Sequence, residues 1–511
     1  MDTLRSRFGF LVGLTLFSLT VLATAAWGQV PLINQPLVPA SAAPGGAGFT
    51  LTVNGTGFTA ESVVEWNSVP LLTLDVSSAQ LTASVPASDI ATAGTAVVTV
   101  VNAGAPSSNP VAFPISSAQT QVGFNLTDLT GDEAPTSVQT GDFNGDGIPD
   151  LAVAANSGID ILLGNGDGTF RTPIFTTTAS SGSLAVGDFN GDGKLDVILS
   201  NYNSAQVFLG NGDGTFTPGA SYGGGSSAFT GDFNGDGKLD FGVTNCNYGC
   251  DLMLYLGNGN GTFGSAPVIP LDGDTAGVVT AADFNGDGKL DLAIPLNTSD
   301  GLNEVDVLLG NGDGTFQPQV GYPVDGLPQS AVTADFNGDG KLDVVVSTTA
   351  NSVDILLGNG DGTFQTPVSY ATNTDPLDVI VADLNNDGKL DLATIDDASS
   401  YYGSTPGFVS VLLGNGDGTF QAHTDFGVDY GPVAFSTGDF NSDGRLDLAV
   451  ANNGSNTVSV LIQSFASLQP AGLTFGDQSL NTTSPPQPVT LTNFGSSILS
   501  IGSITFTGED P

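Results

Sequence analysis

A nine-residue string, D-F-N-G-D-G-K-L-D or a close variant, occurs seven times, starting at Asp142, Asp188, Asp232, Asp283, Asp335, Asp383 and Asp439. Position 3 of each copy is an amide: Asn144, Asn190, Asn234, Asn285, Asn337, Asn385 and Asn441. Position 5 is Asp146, Asp192, Asp236, Asp287, Asp339, Asp387 and Asp443, and position 9 is Asp150, Asp196, Asp240, Asp291, Asp343, Asp391 and Asp447. Alternate residues of a tight turn point inward, so positions 1, 3 and 5 can converge on one cation. The Gly at position 6 permits the reversal that aims the carbonyl of position 7 at the same point. Those carbonyls belong to Ile148, Lys194, Lys238, Lys289, Lys341, Lys389 and Arg445. Asp at position 9 completes a set of hard oxygens, which suits calcium better than imidazole- or thiolate-seeking metals. Three carboxylates in one turn repel each other unless a cation lies between them. Up to seven Ca²⁺ ions are therefore expected. The helix-loop-helix calcium site carries a Glu at its twelfth position. Here that position is apolar (Val153, Leu199), and the residues after Asp150, L-A-V-A, read as a strand.

The elements that carry these loops follow from the spacing. The loops recur every 44 to 56 residues, and a second string, G-N-G-D-G-T-F, occurs six times with its Phe at Phe170, Phe216, Phe263, Phe316, Phe364 and Phe420. Short runs rich in β-branched residues lie between, giving four strands per repeat, the size of a propeller blade. No segment sustains the 3.6-residue periodicity of a helical solenoid. An extra strand near Val122–Thr127 precedes the first loop, and only two strands follow the last, ending near Ile462. The early strand is expected to become the outer strand of blade 7 and close the ring, leaving no open sheet edge. The second string reads as a hairpin turn using Asn-Gly and Asp-Gly for positive φ rather than as a second metal site. The third copy carries Asn260 where the others have Asp.

Composition agrees. The chain has 511 residues, 52 acidic against 9 basic side chains, a net charge of −43, 70 Gly and only 5 Glu. Asp with Gly is turn chemistry, and the fold class is all-β. So negative a chain repels phosphate backbones and anionic lipid, which excludes nucleic acid and peripheral membrane binding as functions. Forty per cent hydrophobic residues suffice to fill cores.

The seven D-x-N-x-D-G-x-x-D strings over about residues 119–464 resemble the FG-GAP/VCBS repeat family, the integrin-α-type seven-bladed β-propeller with calcium in its blade loops. The resemblance implies that each calcium loop joins inner strand A to strand B, and that the N-G-D-G turn joins C to outer strand D. It also implies secreted or cell-surface adhesion or ligand binding, with an enzyme on the same scaffold in some members. Residues 30–117, with runs such as G-F-T-L-T-V-N-G-T-G-F-T and A-V-V-T-V-V-N, resemble the IPT/TIG Ig-like β-sandwich, with Trp66 in its core. Residues 466–511 resemble the start of an ASPM/SPD-2/hydin-type Ig-like domain.

Residues 1–28 read as a signal peptide. Arg5 and Arg7 precede an apolar run from Phe8, and small residues follow, with cleavage after Ala25 or Gly28. The run is short for an uncleaved membrane anchor. The expectation is a secreted or cell-surface protein, without membrane insertion after cleavage, acting as a monomer.

Alternating strand direction puts the repeat loops on one face and the B–C and D–A connections on the other. The second face varies between blades, so recognition of a glycan or protein is expected there. Tyr202, Tyr248, Tyr401 and Tyr402 fall in its B–C loops, either as platforms for a ligand or packed against neighbouring loops. Tyr222, Tyr322 and Tyr370 each stand six residues after a repeat Phe, which marks them as architectural. Cys246 and Cys250, the only cysteines, are favoured to form a disulfide over remaining free thiols. No cysteine nucleophile with a histidine partner can be built. The sole histidine, His423, reads as a surface residue. The pair Asp396 and Asp397 is the nearest thing to an acid and base. A non-catalytic binding protein is the first reading. A propeller-scaffold enzyme on polysaccharide or phosphoester, and a spacer in a larger surface protein, are the alternatives.

Overall fold

A computed structural model describes residues 30–119, 121–130, 134–156, 158–178, 181–246, 249–297, 302–397, 405–464, 466–469 and 490–493. The segment read as a signal peptide, Tyr248, Tyr401 and Tyr402 lie outside the described residues. So does most of 466–511, of which two antiparallel strands are described, Ala466–Gln469 and Thr490–Asn493. Among the described residues there is no helix, and hence none long and apolar enough to cross a membrane.

Seven antiparallel sheets, each ordered A-B-C-D, follow one another along the chain. Blade 1 runs Ser137–Gly141, Asp150–Ala155, Gly158–Leu162 and Ile174–Thr177. Its A strand touches the A strands of blades 2 and 7, and the contacts pass from blade to blade in a closed cycle. Blade 7 takes three strands from Pro432–Gly438, Asp447–Asn452 and Thr457–Gln463, and its fourth from Phe124–Thr130, paired along its whole length with Thr457–Gln463. The ring is a seven-bladed propeller closed by its N-terminal strand.

Strand B is buried along almost its whole length in every blade because it is covered on both faces. In blade 1, Leu151 and Val153 pack on blade 7 with Phe440 and Val460, while Ala152 and Ala154 pack on blade 2 with Leu184 and Val197. Alternation of polar and apolar residues is therefore lost where a strand lies between two blades. Blades 3 and 4 are less regular. Strand D of blade 3 is split into Phe263–Ser265 and Ile269–Leu271, and strand A of blade 4 into Thr275–Ala276 and Thr280–Ala282. Cys246 and Cys250 are joined by a disulfide across the B–C turn of blade 3.

Ahead of the ring stands a two-sheet sandwich, with Leu32–Val38, Phe49–Thr56, Leu72–Ser77 and Gln80–Val85 in one sheet. Val63–Trp66, Val69–Pro70, Gly94–Val101 and Val111–Ile115 form the other. Trp66 is buried against Phe113, with ring centroids 5.0 Å apart.

Candidate functional site

Each repeat loop joins strand A to strand B and is folded by its own carboxylates. In blade 1, Asp142 Oδ1 accepts the Gly145 and Asp146 amides at 2.7 and 3.1 Å, and Oδ2 accepts Gly147 at 2.8 Å. Asn144 Oδ1 takes the Asp146 amide at 2.8 Å, and Asp146 Oδ1 takes that of Ile148 at 2.9 Å. Gly145 and Gly147 have φ of 75° and 80°, which explains the two glycines. At the first of these positions Asn386 and Ser442 adopt the same conformation in blades 6 and 7.

Position 9 serves the fold as well as the proposed ligand set. Asp150 is fully buried; its Oδ2 accepts the Phe143 amide at 2.9 Å and its Oδ1 the Gly164 amide at 2.8 Å. The carboxylate thereby ties the repeat loop to the C–D turn of its own blade. Burial, with further effect from the charges at positions 1 and 5, pushes Asp150 up to about 6 despite these hydrogen bonds. The same causes push Asp196, Asp240, Asp291 and Asp343 up to about 7.

Position 5 has a basic partner in every blade. Lys238 Nζ lies 3.0 Å from Asp236, Lys289 3.3 Å from Asp287, and Lys341 3.5 Å from Asp339. Lys194 and Lys389 sit 3.7 Å from Asp192 and Asp387, and Arg445 pairs with Asp443. Blade 1 has Ile148 at position 7, and there Arg171, just after the repeat Phe, reaches Asp146 at 3.7 Å. Every Lys and Arg beyond Arg7 is thus used in this way. The lysine stems lie over the second turn: a methyl group at Gly312 would meet Lys289 Cδ at 2.9 Å.

The G-N-G-D-G-T-F turn is a clip between blades. Asp213 Oδ1 accepts the Thr215 amide at 3.0 Å, and Asn260 does the same for Thr262 at 3.1 Å, so either residue serves. Gly214 donates to the Phe143 carbonyl of the preceding blade at 3.1 Å, and Phe216 packs on Phe143 with ring centroids 6.2 Å apart. Phe170 of blade 1 meets Phe440 of blade 7 at 5.5 Å and so continues the series across the closure. Tyr222 is architectural: its hydroxyl accepts the Phe263 amide of the next blade at 2.8 Å. Tyr322 and Tyr370 stack edge-on against Phe364 and Phe420 at 5.4 Å.

The loops offer only oxygen donors, and their carboxylates raise one another's charging cost. Both facts fit a hard cation. Among the described residues, no three Asp, Glu, His or Cys side chains are already gathered around one point, and each loop carboxylate accepts amides of its own loop.

The sandwich covers part of this face, an arrangement invisible in the repeat pattern. The Val30 amide donates to Asp232 Oδ2 at 3.0 Å, and Gln35 accepts the Asp335 amide at 3.1 Å. Ser41 Oγ donates to the Asn386 carbonyl at 3.3 Å, and Asn386 Nδ2 bonds Ser116. Asp232, Asp283, Asp383 and Asp439 are buried, whereas Asp142, Asp188 and Asp335 stay half-exposed. The loops read as equivalent in sequence are therefore not equivalent in structure. A cleft of about 170 Å³ opens at the seam, lined by Ile33, Gln35 and Asn109 on one side and Thr280, Thr333 and Leu342 on the other. That is small beside ordinary small-molecule sites.

On the opposite face Tyr202 is 57% exposed. In blade 6, His423 bonds Asp425 at 2.6 Å, Ser410 Oγ lies within hydrogen-bond reach of both Asp425, at 2.8 Å, and Asp396, and Thr394 donates to Asp396 at 2.9 Å. His423, expected at the surface, is held there by the carboxylate two positions on in the sequence. Asp396 is fully buried, and burial, followed in effect by its hydrogen bonds and by Asp425 and His423, leaves it raised to about 6. A carboxyl raised above its unfolded value near 4 binds its proton more tightly when folded. Its contribution is full below that value and is lost as pH rises to about 6, an expected fall of ~3 kcal/mol. Urea unfolding at pH 4.5 and 7 is expected to show a flatter pH dependence in Asp396→Asn; an unaltered slope contradicts it.

No curated protein matches the chain. Among solved structures, a lectin from Agrocybe aegerita that recognises non-reducing terminal N-acetylglucosamine is 21% identical with a TM-score of 0.39, over 71% of this chain and 96% of that one. An auxiliary nutrient binding protein from Bacteroides thetaiotaomicron is 11% identical with a TM-score of 0.38, over 85% and 98%. The IPT/TIG domain model matches residues 33–115. The model of the FG-GAP-like repeat matches six times, at 142–199, 188–243, 232–294, 296–346, 335–394 and 398–450. With seven such loops set in seven closed blades, the chain belongs to the FG-GAP-like repeat family.

Proposed function

We propose that this chain is a secreted or cell-surface, calcium-stabilised propeller. In this reading it binds an extracellular glycan or protein, without catalysis, through the face opposite the repeat loops. The observation that carries the reading is the difference between the two faces. One is repetitive, folded by its own carboxylates and partly covered by the sandwich through Val30, Gln35 and Ser41. The other bears connections that differ in every blade, among them the exposed Tyr202.

Calcium in this reading is structural. Positions 1, 3, 5 and 9 with the carbonyl of position 7 would hold it, and the ion would neutralise the carboxylates crowded at each loop. The chain's own residues then do the rest: position 9 holds the C–D turn, and the lysines balance position 5. Negative charge remaining on the surface disfavours anionic partners.

A glycan array and a pull-down, each run with calcium and with chelator, test the reading. Binding with calcium, weakened about tenfold by Tyr202→Ala at unchanged melting temperature, is the expected result for a loop aromatic in the contact. No ligand in either condition, or full binding by a protein whose variable loops are replaced, counts against it.

A further inference from the structure

Asp306 lies in the middle of strand C of blade 4 (Asn303–Leu308). It is 1% exposed, and neither carboxylate oxygen has a hydrogen-bond partner. A buried ionised group without a partner demands an explanation, because nothing replaces the water it lost.

Corresponding positions in other blades show what blade 4 lacks. In blade 5 the residue is Asp354, whose Oδ2 accepts the Asp325 amide at 2.8 Å from the preceding D–A link. In blades 6 and 7 it is Ser410 and Ser459, bonded to the strand-D carboxylates of Asp425 and Asp128 at 2.8 and 2.6 Å. Blade 4 has neither arrangement. The preceding link is drawn into the sheet, with Cys250 donating to the Gly273 carbonyl at 3.0 Å and Asp274 donating to the Asn297 carbonyl at 2.7 Å. What it brings to Asp306 is the negative charge of Asp272. The strand-D partner of Asp306 is Gly321, which has no side chain.

Glu304 fills that gap. A methyl group at Gly321 would lie 2.1 Å from Glu304 Oε2 and 3.0 Å from Asp306 Oδ1. Two carboxylates therefore converge over the glycine. Burial, then Glu304 and Asp272, push the Asp306 carboxyl up to about 7.

The geometry points to a cation site beside the seam of blades 3 and 4, with Asp306 and Glu304 as carboxylate donors, Asp272 adding charge, and a hard divalent ion such as calcium as occupant. Calcium takes six to eight oxygens, so two carboxylates suffice where carbonyls and water supply the rest. Ions that prefer nitrogen or sulfur find no such donor in this trio. The site belongs to strand C and a D–A link, apart from the seven repeat loops, and stands whether or not those loops bind.

The test counts ions on the full chain. After chelation and return to calcium, equilibrium dialysis with elemental analysis is expected to give Asp306→Asn one equivalent fewer than the parent. Glu304→Gln is expected to weaken the same equivalent about tenfold. Unchanged stoichiometry and affinity in both variants overturn the site. So does an Asp306→Asn protein stabilised equally with calcium and with chelator, the behaviour of a buried acid carrying only a proton. Should Asp306→Asn fail to fold, Glu304→Gln decides by itself, since its side chain is only half-buried. If the repeat loops bind nothing, the parent retains one equivalent and Asp306→Asn none, which separates the two readings.

Discussion

Transfer of the purified chain from 10 mM calcium into chelator is expected to lower its melting temperature by roughly 14–27 °C. Extracellular calcium modules bind at about 0.1–1 mM, so each loop filled at this concentration contributes ~1.4–2.7 kcal/mol by mass action. Seven such loops sum to about 10–19 kcal/mol. For a propeller of this size each kcal/mol shifts the midpoint by roughly 1.4 °C. Crowding of the carboxylates at positions 1, 5 and 9, which an ion would neutralise, is the source of this shift. Scanning calorimetry with calcium, magnesium and chelator checks it. A midpoint that chelator leaves unchanged ends the calcium assignment, however regular the motif.

The second large effect concerns position 9 and is separable from any ion. Asp343 is fully buried, its oxygens accepting the Phe336 amide at 2.9 Å and the Gly358 amide at 2.8 Å. Asp343→Ala would leave two buried amides without acceptors, at ~1–3 kcal/mol each, or about 2–6 kcal/mol in all. Measured by urea unfolding in chelator, the loss is expected to stand apart from that of Lys341→Gln. Lys341 pairs with Asp339 at 3.5 Å with its side chain 43% exposed, and exposed pairs contribute at most ~1 kcal/mol. Equal losses in the two variants would mean that position 9 has no part in holding the C–D turn.

The parts of the molecule legible from sequence are those that repetition makes redundant. Seven copies of one loop announce seven blades, and one strand too many before Asp142 with one too few after Asp447 announces the closure through Phe124–Thr130. The pairing of position 5 with a base was half visible: six bases stand at position 7, but Arg171 takes over from Ile148 at a different point of the repeat. What could not be read depends on contacts between distant parts of the chain. Val30 meets Asp232 across 202 residues and Ser41 meets Asn386 across 345, and nothing in either local pattern encodes the meeting. Asp306 is hidden for another reason. In sequence it matches Asp354, and only the broken strand of blade 3 and the bare backbone of Gly321 make its surroundings different.

The borrowed strand of blade 7 also bears on how the protein comes off the ribosome. Asp128 and Ser459, which meet in the finished sheet, are 331 residues apart. At roughly 5–20 residues per second, the first of them emerges about a quarter of a minute to a minute before the second. Throughout that interval six blades can assemble while Phe124–Thr130 waits with its hydrogen-bonding groups unspent. A nascent chain in that state can lend the strand to the seventh blade of a neighbour. Crowded synthesis is thus expected to yield strand-exchanged pairs of molecules, and a chain permuted to place this segment after Gln463 is expected to avoid them.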